Sequence, residues 1–482
     1  MSLLRQTFAG IKWMLAAKMA QQGLQFLLLT VLMRLLDPAA FGLVGMVMVF
    51  SGFAAIFSEM GFGSALVQRQ DLSEAHRSTI FWLVIASGAL LGGVLLAAGP
   101  LIAAFYKEPR LQPMCAWVGL SFLLSAPGVV SRSLLIKALR FDILAKVDVT
   151  ALIVSGGVAA AAAACGAGVW SLVAQQLVSA GATSALLFWF GKWRPRLLWS
   201  SRAIRELFGY GAGLTGFNIV NYWARSADKL LIGNLLGSVA LGLYSRAYSL
   251  MLLPLTQVVS VLTPVMFPAL STIKDDKARV RRVFLQMTAF VTFIAFPMML
   301  GLIVVAEPFV IGLFGGKWAS AIPLIQILAV VGMTQALLNP TGLIYTSQGR
   351  TDWLFWWAVG GGGVEVLLIV AGALMGGVRG VAIAYLVGNL VITGPGLAIP
   401  GRLIGMSLGD VWQAIAGNLA CATCMAALVW GIDSALPIGM APLVRLLVLV
   451  PLGAMAYGTL ACISRLTVLG QLTQLRIRLA SY

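Results

Sequence analysis

Leu35-Leu36-Asp37-Pro38-Ala39-Ala40-Phe41-Gly42-Leu43-Val44 returns 200 residues later as Leu235-Leu236-Gly237-Ser238-Val239-Ala240-Leu241-Gly242-Leu243-Tyr244. Each copy joins the end of one long apolar run to the start of the next. A second pair keeps nearly the same offset, with a residue or two of slippage: Phe105-Tyr106-Lys107 and Pro113 correspond to Phe314-Gly315-Gly316-Lys317 and Pro323. Two matches in register mark an internal duplication rather than a coincidence.

The surroundings of the repeat give its physical meaning. Of 482 residues, 60% are hydrophobic and only 10% charged, with a mean hydropathy of +0.95, too little polar surface to coat a soluble globule. A membrane-spanning helix needs about 20 apolar residues. Such runs fall near 12–36, 39–60, 79–105, 112–135, 145–165, 168–190, 206–234, 239–271, 283–306, 320–347, 352–374, 378–401, 410–432 and 441–464. The first has no compact apolar core with a small-residue cleavage site, so it reads as a retained span rather than a signal peptide. The expectation is an all-α integral membrane protein of about 14 transmembrane helices. An N-lobe of six helices occupies 1–200, a C-lobe of six occupies 201–402, and two further helices with a tail occupy 403–482. Six spans per copy return the chain to its starting side, so the copies are parallel repeats about an axis along the membrane normal, an arrangement known from transporters.

Loop charges orient the chain. Of the 33 lysines and arginines, 24 fall on the side shared with the N-terminus, including the clusters 192–205 and 274–282. By the positive-inside rule both termini are cytoplasmic, in a bacterial inner membrane. The net charge of +17 then reflects topology and contact with anionic membrane lipids rather than a nucleic-acid patch.

Polar residues inside the apolar runs mark a candidate path. Asn218, Asn221, Arg225 and Asp228 recur at intervals of 3, 4 and 3, with Lys229 adjacent, so they share one helical face. Charges in hydrocarbon are costly without water or partners. The face either lines a hydrated cavity or holds an intrahelical Arg225–Asp228–Lys229 cluster that steadies the fold; the asparagines extend it beyond any ion pair. Arg246, Ser249, Leu253, Thr256 and Ser260 form a second stripe, with Tyr244, Tyr248 and Gln257 expected beside it. Lys18, Gln22 and Gln25 form a third in the first run, and Arg34 stands at that run's outer end. Glu59 and Glu365 are candidate sites for a coupling proton or cation, or else arginine partners. The run Gly360-Gly361-Gly362-Gly363 before Glu365 is expected to admit a close backbone neighbour.

Catalysis finds little support. His76 is the one histidine, in a loop where a solvated turn or helix cap suits it, and Cys421-x-x-Cys424 lies mid-span without further ligands. No metal cluster, Walker loop or other cofactor motif occurs. A membrane glycosyltransferase would need acids or metal ligands on sizeable outer loops, and the outer loops are short. The expectation is a non-enzyme without cofactor or metal.

Several stretches together resemble a known family. These are Arg34-Leu35-Leu36-Asp37-Pro38-Ala39-Ala40-Phe41-Gly42-Leu43, Phe57-Ser58-Glu59-Met60-Gly61-Phe62-Gly63-Ser64-Ala65-Leu66-Val67-Gln68, Asp228-Lys229-Leu230-Leu231-Ile232-Gly233 followed by Leu241-Gly242-Leu243-Tyr244-Ser245-Arg246-Ala247-Tyr248, and Gly349-Arg350-Thr351-Asp352. The chain resembles the polysaccharide transporter, or Wzx-type flippase, branch of the multidrug/oligosaccharidyl-lipid/polysaccharide superfamily, and is similar to the colanic-acid and succinoglycan exporters. The resemblance implies two six-helix lobes, a cationic cavity, and translocation of undecaprenyl-pyrophosphate-linked oligosaccharide units from the cytoplasmic to the periplasmic leaflet by alternating access. A polysaccharide polymerase and a chain-length regulator are the implied partners. A flippase for peptidoglycan or teichoic-acid precursors is the alternative. A drug exporter fits less well, because a cationic drug favours an acidic cavity.

Overall fold

The computed structural model describes residues 3–59, 63, 66–67, 72–437 and 439–464, with their side chains except at 3–17, 58–59, 201–221, 224–225, 258, 260–261 and 264–265. Among these residues every regular element is helical. The long helices are α1 (Leu3–Leu35), α2 (Pro38–Glu59), α3 (Glu74–Tyr106), α4 (Leu111–Lys137), α5 (Phe141–Ala164), α6 (Val169–Phe190), α7 (Ser201–Thr272), α8 (Lys277–Val304), α9 (Ile322–Leu338), α10 (Thr351–Ile404), α11 (Leu408–Ala435) and α12 (Pro442–Ile463). Helix is what a bilayer demands, because hydrocarbon offers no partner for an open N–H or C=O. Eleven stretches among the described residues are long and apolar enough to cross a membrane. Apolar side chains that would be untenable in water face outward, among them Leu101 at 74%, Trp356 at 71% and Met375 at 88% exposure.

Two helices are too long for one crossing. α7 has 72 residues and α10 has 54. Each folds back on itself at glycine. In α7 the break is Gly237, with φ 81° and ψ −177°. A Cβ placed on Gly233 would lie 3.3 Å from Cδ2 of Leu241, whereas residues eight apart on a straight helix are separated by about 12 Å. In α10 the break is Gly376 and Gly377, the latter at φ 57°, and Gly372 packs backbone to backbone on Gly380. The paired runs 206–234 and 239–271, and 352–374 and 378–401, are thus helical hairpins.

Small residues set the closest helix contacts. Along α3 and α4, a Cβ on Gly88 would meet the Phe122 carbonyl at 2.8 Å and one on Gly92 the Gly119 carbonyl at 2.7 Å. Close backbone approach compensates for the weak drive between apolar surfaces in lipid. At the expected approach of Gly360–Gly363, Gly360 and Gly363 face open space, and Gly361 meets only Ile392 at 4.0 Å. The tight contact of α10 lies a few turns further on, at the fold-back, where the helix halves converge.

The chain folds as two compact units, Met1–Gly242 and Leu243–Tyr482, where the sequence had suggested a division at 200/201. The first half of α7 stays with the earlier helices because its side chains fasten there. Tyr222 donates to the Val49 carbonyl at 2.6 Å, Trp223 packs on Phe53 at 5.1 Å between ring centroids, and the Asn234 amide donates to the Phe105 carbonyl at 2.5 Å.

Within the first unit the repeated motif makes a reciprocal contact. A Cβ on Gly42 would strike the Ser238 carbonyl, and a Cβ on Gly242 would strike the Pro38 carbonyl. Pro38 and Ser238 are equivalent positions of the duplication, as are Gly42 and Gly242. Residue i of one copy meets residue j of the other and the reverse also holds, the signature of a local two-fold axis. The second unit has its own apolar core, built on Phe284, Phe296, Met425, Val429 and Tyr457 from α8, α11 and α12.

Candidate transport site

The second half of α7 and the start of the second unit carry the most developed polar cluster within spans. Tyr244 and Tyr248, one turn apart, stack with ring planes at 18° and centroids at 6.0 Å. The Tyr248 hydroxyl lies 3.3 Å from that of Tyr385 on α10, and the Gln335 amide on α9 donates to the Tyr385 hydroxyl at 2.9 Å. Asn389, one turn beyond Tyr385, donates to the Tyr385 carbonyl at 3.0 Å. Glu365, half-buried on the other arm of the α10 hairpin, is within electrostatic reach of Tyr385. Three helices therefore converge on one phenol.

Arg246 belongs to another face of α7. Two positions along a helix turn it by about 200°, so Arg246 points away from the Tyr244–Tyr248 stack rather than lying beside it as the sequence had suggested. Its stripe neighbours Ser249 and Thr256 are exposed and donate to carbonyls of their own helix, Ser249 to Ser245 at 2.7 Å and Thr256 to Leu253 at 3.1 Å. Their hydrogens are thus committed and only their oxygens remain open to a ligand. The side chain of Ser260 lies outside the described residues. α7 after Gly237 consequently has an aromatic, hydroxyl-bearing face packed into the unit, while Arg246 lies on another face, half-buried with its Nε enclosed.

In the first unit, Asp228 is buried and accepts from the backbone N–H of Lys229 at 2.7 Å. Lys229 is half-buried. Lys18, Gln25 and Arg34 are exposed on α1, with Gln22 half-buried. The side chains of Asn218, Asn221, Arg225 and Glu59 lie outside the described residues. Cys421 is buried and Cys424 exposed, so they present to different surroundings. His76 sits in the first turn of α3, where Ser73 caps the helix and its Oγ is 2.6 Å from the imidazole Nδ1. Tyr385, Gln335 and Asn389 escaped the reading of stripes because each is a lone polar residue in an otherwise apolar run. The i, i+4 spacing of Tyr385 and Asn389 was the available signal.

Comparison with known proteins bears on the family and the fold. Residues 31–323 match the family model described as polysaccharide biosynthesis protein. The chain is 30% identical over 463 residues to the teichuronic acid biosynthesis protein TuaB of Bacillus subtilis (strain 168), covering 95% of both chains. It is 30% identical to the lipopolysaccharide biosynthesis protein WzxC of Escherichia coli (strain K12), covering 82% of this chain and 80% of that one. Among solved structures it is similar to the lipid II flippase MurJ in an inward closed conformation, with a TM-score of 0.70, 13% identity, and coverage of 94% and 98%. At that identity the likeness speaks for the fold.

Proposed function

We propose a function from one premise: the chain belongs to the polysaccharide biosynthesis protein family. It is a flippase that carries undecaprenyl-pyrophosphate-linked oligosaccharide units, destined for exopolysaccharide or lipopolysaccharide, from the cytoplasmic to the periplasmic leaflet by alternating access. The observation that carries the reading is the Tyr248–Tyr385–Gln335 cluster inside the spans of a chain matched over 95% of its length to a cell-surface polysaccharide protein.

The chemistry supports it. A diphosphate-linked sugar cannot cross hydrocarbon bare, since moving a charge there costs many kcal/mol. A polar path through the protein relieves that cost while the polyprenyl tail stays in lipid. Arg246 supplies a guanidinium suited to phosphate oxygens, and the phenols and amide of Tyr248, Tyr385 and Gln335 suit sugar hydroxyls. On this reading Lys229, Asp228, Arg225, Asn218 and Asn221, with Lys18, Gln22, Gln25 and Arg34, extend the path, while Glu365 and Glu59 take the coupling cation. Both termini are cytoplasmic, and a polymerase with its chain-length regulator takes up the delivered unit.

The test is reconstitution in vesicles with fluorescent lipid-linked oligosaccharide and a membrane-impermeant quencher. Wild type should render the label accessible on the far leaflet, and Arg246→Ala should slow this at least tenfold with unchanged insertion. Equal rates in protein-free vesicles would end the proposal.

A further inference from the structure

A second basic site lies in the first unit, away from the Tyr385 cluster. Where α3 and α5 begin and α4 and α6 end, a cavity of about 580 Å³ opens, lined by Arg77, Arg140, Lys146 and Lys192 with Phe190 and Trp193. Four cations face it against one carboxylate, Asp142. Arg140 already holds that carboxylate through two hydrogen bonds of 3.0 and 3.2 Å. Arg77 reaches the Leu72 carbonyl at 3.5 Å and Glu74 only at 3.9 Å, and its Nε is buried with no hydrogen-bond partner among the described residues. Lys146 and Lys192 are exposed and form no ion pair among the described residues. Lys192 also stands at φ 52°, the left-handed region that a residue with a Cβ rarely adopts. Positive charge is thus in excess here, four cations against Asp142 in the lining and Glu74 at 3.9 Å from Arg77.

The setting identifies the missing anion. All four helices end at this cavity, on the membrane face where the basic loops gather. Tryptophans at the same level project outward, Trp189 at 75% and Trp199 at 61% exposure, as the aromatic belt at a membrane–water boundary does. Phe190 of the lining is exposed, as is Phe141, between the lining residues Arg140 and Asp142 in the chain. A soluble anion would make no use of that apolar rim, whereas a lipid uses both parts.

We propose that this cavity binds the phosphate head group of an anionic phospholipid of the adjoining leaflet. Lys146, Lys192 and Arg77 take the phosphate oxygens, and the acyl chains lie along Phe141 and Phe190. The volume suits a glycerophosphate head group, and basic pockets between helix ends are where such lipids bind. The assignment stands independently of the transported cargo.

The test uses the purified full chain in detergent with equimolar phosphatidylglycerol and phosphatidylcholine, reading bound lipid by native mass spectrometry. Wild type should retain phosphatidylglycerol preferentially. At about fivefold per cation, Lys192→Gln alone should reduce the preference about fivefold and the double variant Lys146→Gln/Lys192→Gln about twenty-fivefold. The charge-matched control Lys274→Gln/Lys277→Gln should keep it. Matching thermal midpoints in phosphatidylcholine verify folding, and the single variant serves if the double one misfolds. An unchanged preference in Lys192→Gln and the double variant would overturn the proposal. Displacement of phosphatidylglycerol from wild type by millimolar inorganic pyrophosphate would also overturn it, by assigning the cavity to a soluble anion.

Discussion

One phenol does several things at once in this molecule. Tyr385 receives the Gln335 amide, meets the Tyr248 hydroxyl and stands near Glu365, so its oxygen organises three helices. Tyr385→Phe keeps the ring and deletes the oxygen, leaving the Gln335 amide without its acceptor. The expected cost is about 1 kcal/mol of stability, with lipid-linked sugar transport reduced about fivefold or more in the vesicle assay. Unchanged transport with lowered thermal stability would make the cluster purely structural. Arg246 was legible in the sequence as a charge within a span, but that its Nε is enclosed by the fold was not. Tyr385 was not, because a tyrosine in an apolar run counts toward hydrophobicity and gives no sign of its hydroxyl's partners. Ser249 and Thr256 were legible as polar positions, but only geometry shows that their hydrogens serve their own helix.

For the helices, run lengths were readable and seams were not. Long apolar stretches broken by charge or glycine gave helices of the right extent, and the breaks at Gly237 and Gly376–Gly377 sit where adjoining runs had been separated. With 53 glycines in the chain, however, nothing in the sequence says which ones touch a neighbour. Gly92 and Gly93 make the point. A Cβ on Gly92 would stand 2.7 Å from the Gly119 carbonyl, while Gly93 has nothing within 4 Å. Gly92→Ala should therefore force α3 from α4 and cost about 2 kcal/mol or more, as overpacking does. Gly93→Ala should be neutral or stabilise by up to about 1 kcal/mol through helix propensity. Thermal unfolding of the two variants in one detergent gives the comparison, and equal midpoints would contradict the seam.

At the scale of the whole molecule, the orientation proposed from loop charge is one that native thiols can report. Cys165 is exposed in the turn between α5 and α6, which the proposed orientation puts on the side opposite the basic loops, and Cys462 is exposed near the end of α12. A membrane-impermeant maleimide added to intact cells should label Cys165, and Cys165→Ser should abolish that signal. Cys462 should react only after permeabilisation. The reverse pattern would invert the topology.

The paired glycines at 42 and 242 bear on the history of the chain. Each occupies the clearance that the other copy's backbone requires, so neither copy can acquire a side chain there and have its twin give way, because the obstruction is main chain rather than a movable group. Gly42→Ala and Gly242→Ala should each lower the folded yield, and combining them should rescue nothing. Outside the two matching motifs the halves correspond only loosely in sequence. At this crossing the halves remained bound to one another's ancestry, and sequences descended from the same doubling should keep glycine at both places or lose the crossing altogether.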